Sequence, residues 1–157
     1  MHSLQGTVAG MGERILIVGM NNPISTNPKH ALWPDPVNCT GWRLWKLLEA
    51  RTGATAEQYT QAFDRTNMVI GNWDRGAALE WWVQSRDRIR EEYDVCLLLG
   101  AATRAAAEMT QLPDLCIRGG IATLPHPSGL NRWYNNHVNR AAAEILLEEL
   151  YTRATST

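Results

Sequence analysis

Two short stretches hold residues able to do chemistry. "VGMNNP" (18–23) ends an apolar run in two asparagines and a proline, and "LPHPSGLNR" (124–132) gathers His126, Ser128, Gly129, Asn131 and Arg132 in one polar turn. An imidazole at the end of a strand can present an N–H to an oxygen that gains negative charge. A carboxamide takes up no proton at neutral pH, but its carbonyl oxygen can orient a water. A serine hydroxyl and the amides around a glycine, placed where a helix opens, suit an anion through N–H donors and the positive end of the helix dipole.

These groups act together only if the fold brings the two turns to one rim. "RILIVG" (14–19) reads as a buried strand stopped by glycine. The segment after it, 20–41, holds four prolines and many turn formers, a long ordered loop of the kind that carries function. "GWRLWKLLEARTG" sets Trp42, Leu44, Trp45 and Leu48 at helical spacing and closes on Gly53. "FDRTNMVIG" (63–71) predicts a second strand, and a helix follows with Leu79, Trp82, Ile89 and Tyr93 on one side. "YDVCLLLG" (93–100) predicts a third strand, whose continuous apolar character fits a parallel sheet covered on both faces. An alanine-rich helix comes next, then a fourth strand over 115–124 with a break at Gly119 and Gly120, and a final amphipathic helix from about Asn131 to Tyr151 marked by Val138, Ala142, Ile145, Leu146 and Leu150. The tail "TRATST" is expected to fray.

Alternation of strands and helices predicts an α/β fold: a three-layer α/β/α sandwich around a mainly parallel four-stranded sheet, in one domain over 1–157 with its core at about 14–151. Ligands bind outside the carboxyl ends of strands in such sheets, so both polar turns are expected on the same edge.

The formal net charge of −1 gives no global electrostatic reason to expect a nucleic-acid partner. Three cysteines, odd in number and without C-x-x-C spacing, give no readable disulfide framework or four-thiolate cluster. His2, His30 and His137 show no metal spacing and read as surface or helix residues. The N-terminal stretch lacks a membrane span and a convincing leader, so a cytoplasmic setting is the expectation. Seven tryptophans against one phenylalanine are a skewed choice; most fill core volume, and two or three could stack on bases.

"VGMNNP" and "LPHPSGLNR" together resemble the uracil-DNA glycosylase superfamily, in which one motif is a strand followed by G-x-[DN]-P and the other is close to [HN]-P-S-[PG]-L. "TNMVIG" and "VCLLLGAATRAA" are similar to its central strands, so the resemblance covers most of the chain, from about 14 to 150. The first motif departs from the pattern: Asn22 stands where proline is usual, and Pro23 comes one place later. Either Asn21 or Asn22 could hold the catalytic position; the G-x-N register favours Asn21. An asparagine resembles the mismatch-specific and single-strand-selective branches, and three cysteines disfavour the iron–sulfur ones.

The resemblance implies hydrolysis of the N-glycosidic bond of uracil or a related pyrimidine in DNA, with no metal or cofactor, by a monomer. Asn21 would position the water and His126 would donate to the departing base. Met20, Asn22, Pro23, Trp33 and Asn67 would bind the substrate, with Trp33 as stacker and Asn67, at a strand end, reading the pyrimidine edge. Ser128, Gly129, Leu130, Asn131 and Arg132 would grip the DNA, Leu130 as the wedge that fills the vacated stack. Asp35 or Asp64 would be the water activator if the asparagine assignment fails. Other readings are a non-catalytic DNA- or partner-binding module of the same fold and an enzyme of free nucleosides or hypermodified bases, for which the Pro-rich loop could reshape the pocket.

Overall fold

A computed structural model of the chain describes residues 12–23, 25 and 27–156. Expectations that fall before residue 12, His2 among them, lie outside the described residues.

Strands β1 (Ile15–Asn22), β2 (Asp64–Ile70), β3 (Val95–Leu99), β4 (Cys116–Arg118) and β5 (Ile121–Leu124) form one sheet in the order β2-β1-β3-β5-β4. Every neighbouring pair is parallel except β4 with β5. The single fourth strand expected over 115–124 is therefore corrected to an antiparallel hairpin, and the sheet has five strands. Gly119 adopts a φ of 60°, which lets the Gly119-Gly120 pair reverse the chain inside an otherwise strand-like run.

Helices α1 (Thr40–Thr52), α2 (Ala56–Ala62), α3 (Arg75–Glu92), α4 (Ala101–Ala106) and α5 (His137–Thr155) cover both faces. Successive strand side chains alternate between the faces. Ile15, Ile17, Val95, Leu97 and Leu99 pack in one apolar cluster with Leu44, Leu48, Tyr59 and Leu147 of α1, α2 and α5. Leu16, Val18, Cys96 and Leu98 pack in another with Ala78, Trp82, Ile89 and Ala106 of α3 and α4. The three-layer α/β/α arrangement is thus built as expected. Among the described residues no helix is long and apolar enough to cross a membrane.

Helix α1 ends as its sequence demands, with Gly53 in the left-handed conformation at φ 71°. Helix α2 was not foreseen, although Thr55 and Gln58 form a complete capping box at its start. The apolar stripes also differ from expectation. Helix α3 buries Ala78, Trp82 and Ile89 while Leu79 is exposed, and α5 buries Ala143, Leu146, Leu147 and Leu150 while Val138 and Ile145 face solvent. The tail stays helical to Thr155 rather than fraying earlier.

One boundary matters for function. The last helix begins at His137, capped by Asn136, whose Oδ1 accepts from the amides of Val138 (2.8 Å) and Asn139 (3.1 Å). A separate 3-10 turn, Arg132–Asn135, precedes it with Asn131 as its own cap. Ser128 and Gly129 therefore lie in a turn several residues upstream, and the expectation that they open the last helix is corrected.

Candidate functional site

The parallel strands β1, β2, β3 and β5 end on one edge, and there a cavity of about 550 Å³ opens between the β1 end, the Pro-rich loop, the start of α1 and the turn after β5. Asn21, Asn22, Pro23, Trp33, Asn67, His126, Ser128 and Gly129 all line it. Two stretches far apart in sequence thus meet in one opening because each follows a strand of the same parallel sheet.

The two asparagines are held differently. The Asn22 Oδ1 accepts from the amide of Ser25 at 3.0 Å, closing the turn that leaves β1. The Asn21 Nδ2 donates to the Gly71 carbonyl at 2.7 Å, just beyond the end of β2. That bond fixes the amide plane and leaves the Asn21 carbonyl oxygen without a hydrogen-bond partner among the described residues. Asn21 is thus the better placed of the pair to hold a water by an acceptor oxygen.

His126 sits two residues past β5, half-buried on the cavity wall. A Cβ on Gly100, whose own φ is 90°, would lie 3.0 Å from His126 Cβ and 3.6 Å from Cγ and Cδ2. The imidazole therefore rests against bare backbone at the end of β3. Its main-chain carbonyl accepts from the Ser128 amide (2.9 Å) and the Asn131 Nδ2 (2.8 Å), so the turn clamps the backbone that carries the ring. Among the described residues neither ring nitrogen has a hydrogen-bond partner. Removal from water holds the imidazole below the usual histidine range, so it is neutral at neutral pH.

Asn67 is in the middle of β2, paired in register with Gly19, and not at a strand end as expected. Its amide reaches the cavity because Gly19 has no side chain: a Cβ there would come within 2.5 Å of the Asn67 Oδ1. Leu32, buried at a φ of 52°, closes against the same glycine, its Cδ2 3.1 Å from that Cβ position. A leucine held in the left-handed region is strained, and such strain persists only where the surroundings enforce it.

Those surroundings are visible. The buried Tyr59 hydroxyl donates to the Leu32 carbonyl at 2.8 Å, and the Arg65 Nε donates to the Ala31 carbonyl at 3.3 Å while its Nη1 holds the Thr60 carbonyl at 2.9 Å. The Arg65 guanidinium also sits 5.5 Å from the Trp33 ring centroid. Trp33 is 41% exposed and lines the cavity. Tyr59→Phe leaves the buried Leu32 carbonyl without a donor and is expected to lower stability by about 1 to 3 kcal/mol, read as the shift in a urea-unfolding midpoint.

Other expected site residues fall elsewhere. Met20 does not line the cavity, since it alternates with Gly19 and Asn21 along β1 and takes the other face. The Asn131 side chain is spent internally, on the His126 carbonyl and on the Trp133 amide at 3.1 Å. Arg132 is exposed outside the cavity, and Leu130 stands at the tip of the turn, 94% exposed. Asp64 starts β2 at the opposite edge and accepts from the Tyr93 hydroxyl at 2.7 Å, which removes it as a water activator, whereas Asp35 does line the cavity.

Sequence reasoning missed two residues. His30 is exposed, as read, but it also lines the cavity, with its Nδ1 2.9 Å from the Ser25 Oγ. Arg43 lies on α1, yet its guanidinium packs against the turn: a Cβ on Gly129 would meet its Nη2 at 2.8 Å. A cation one turn into a helix that opens beside a Pro-rich loop was the available signal. Among the described residues no group of three or more histidine, cysteine or acidic side chains could hold a metal ion. Set against known protein families and curated proteins, the sequence matches no family model and no curated protein.

Proposed function

We propose that the protein is a monofunctional DNA glycosylase that hydrolyses the N-glycosidic bond of uracil or a related modified pyrimidine after the nucleotide is flipped from its stack. The observation that carries this reading is the meeting of the Asn21 carboxamide, the neutral His126 imidazole, the Asn67 amide and the Trp33 ring around one opening of base-plus-sugar size.

In this reaction the base departs as an anion while the sugar gains oxocarbenium character. A neutral imidazole N–H aimed at a base carbonyl oxygen stabilises the first charge without first having to lose a proton. The Asn21 carbonyl oxygen orients a water toward the anomeric carbon; it positions the nucleophile and does not deprotonate it, so a modest rate follows. Asn67 donates and accepts on the pyrimidine edge, and Trp33 supplies the stacking face. The Ser128 amide is already bonded to the His126 carbonyl, so the phosphate donors of the turn are the Ser128 hydroxyl and the Gly129 N–H, with Arg43 rather than Arg132 behind them. Leu130, fully presented at the tip of the turn, is the wedge.

The test is base release from uracil-containing oligonucleotides, single- and double-stranded, read as alkali-labile strand scission. Wild-type protein is expected to release base, and Asn21→Ala to slow release by about tenfold or more, the loss of one positioned water. Release that survives both Asn21→Ala and His126→Ala would overturn the site assignment. Salt-dependent DNA binding with no release from any pyrimidine substrate would replace the enzyme with a binding module of the same fold.

A further inference from the structure

The turn that bears His126 has a second side. Between the N-terminal parts of α1 and α5 lies a groove of about 320 Å³ lined by Trp42, Arg43, Lys46, Tyr134 and Arg140, with Glu144 the only lining carboxylate among the described residues. Ser128 lines both this groove and the main cavity, so a strand leaving one passes directly into the other. In a chain of net charge −1, three cations on one short track are a local concentration.

Their geometry leaves donors to spare. Arg43 uses its Nε on the Asn38 carbonyl (3.2 Å) and Arg140 uses its Nε on the Tyr134 carbonyl (3.2 Å). Each bond anchors the guanidinium by one edge, and among the described residues neither head is paired with a carboxylate. Lys46 is paired with Glu49, and its ammonium lies 5.1 Å from the Trp45 ring centroid and 5.8 Å from that of Trp42. Anchored forks suit phosphate oxygens, and an aromatic ring beside a cation suits an unstacked base.

We propose that this groove is a second nucleic-acid subsite, which holds the single-stranded DNA flank adjoining the nucleotide in the main cavity. Phosphates run past Arg43, Lys46 and Arg140, and a flanking base stacks on Trp42. The groove is walled by helices on both sides, so the track is in place before binding. This subsite rests on the glycosylase reading for its neighbour in the main cavity, but its own chemistry requires only a strand.

The experiment is fluorescence anisotropy with a labelled single-stranded oligonucleotide carrying a central abasic-site analogue, titrated across about 50 to 200 mM salt. The variant is Lys46→Ala/Arg140→Ala; the control is Arg88→Ala/Arg90→Ala, an equal charge loss on α3 across the sheet. The groove variant is expected to bind about five- to tenfold more weakly and to lose about 0.7 from the log–log salt slope per phosphate contact removed. The control is expected to keep the wild-type affinity and slope, with thermal unfolding confirming that both variants fold. Wild-type affinity and slope in the groove variant would overturn the subsite, as would a loss seen on duplex DNA but not on the single strand, or no binding of the strand by wild-type protein. Base release measured on the same samples separates the two ideas: binding that depends on Lys46 and Arg140 without release keeps the groove and discards the glycosylase.

Discussion

His126→Ala is expected to slow base release by about 10²- to 10³-fold, the usual cost of removing one donor to an oxygen that gains charge in the transition state. The expectation follows from how the ring is held. Its backbone carbonyl is gripped by Ser128 and Asn131, its flank rests on Gly100, and its nitrogens remain for a ligand. A donor fixed in this way pays no reorganisation cost at the moment of reaction. The imidazole also leaves a pH signature. Its pKa is lowered by burial, so the unfolded chain binds a proton at higher pH than the folded one. The contribution of His126 to stability is thus fully present above about pH 6.5, the unfolded value, and falls as the pH drops from there toward the folded pKa. Below that pKa both states carry the proton and the loss levels off. His126→Asn is expected to abolish this acid-side loss, so the stability gap between variant and wild type should shift in favour of the variant over that window. Urea unfolding at a series of pH values reads it. A gap independent of pH would mean that the ring titrates as it does in water and is not desolvated.

What could be read from the chain and what could not divide along the range of the interactions involved. Asn21 and His126 were legible because each lies at the end of a buried apolar run, and parallel strands must end on one edge. The five-stranded count was missed because a glycine pair inside β-rich sequence reads equally as a break or as a turn, and only pairing partners decide. Asn67 was placed at a strand end through the resemblance; it sits mid-strand, and Gly19, on another strand, makes room for its amide. The helix start after the second turn was misplaced because Asn131 and Asn136 are both good caps, and the chain uses the first for a short 3-10 turn and the second for α5. Arg43 was hidden for the opposite reason: a helix was read for its apolar stripe, and the cation beside that stripe reaches a turn distant in sequence.

Gly41→Ala is expected to be strongly destabilising. Gly41 is buried in the first turn of α1, and a Cβ there would fall 2.1 Å from the Trp33 carbonyl oxygen and 2.4 Å from the carbonyl carbon and oxygen of Leu32. These are backbone atoms, so no side chain can swing aside. Either the helix start backs away from the loop or the loop abandons the left-handed Leu32 conformation that closes the cavity floor. Both routes strain the bonds from Tyr59 and Arg65 and the Cys39 cap of α1, whose Sγ accepts from the Trp42 amide. Overpacking against a rigid neighbour costs about 3 kcal/mol or more, which for a domain of this size lowers the melting temperature by about 6 to 12 °C. Gly53→Ala is the matched comparison. Its φ of 71° strains any side chain, yet nothing lies within 4 Å, so the cost is limited to about 1 to 2 kcal/mol of left-handed backbone. Because Trp33 and Leu32 both line the cavity, Gly41→Ala is also expected to reduce base release at temperatures where the protein remains folded, while Gly53→Ala is not. Thermal unfolding and release rates measured on the two variants together check the argument, and a Gly41→Ala protein that melts and reacts like wild type would show that the loop is not wedged against α1.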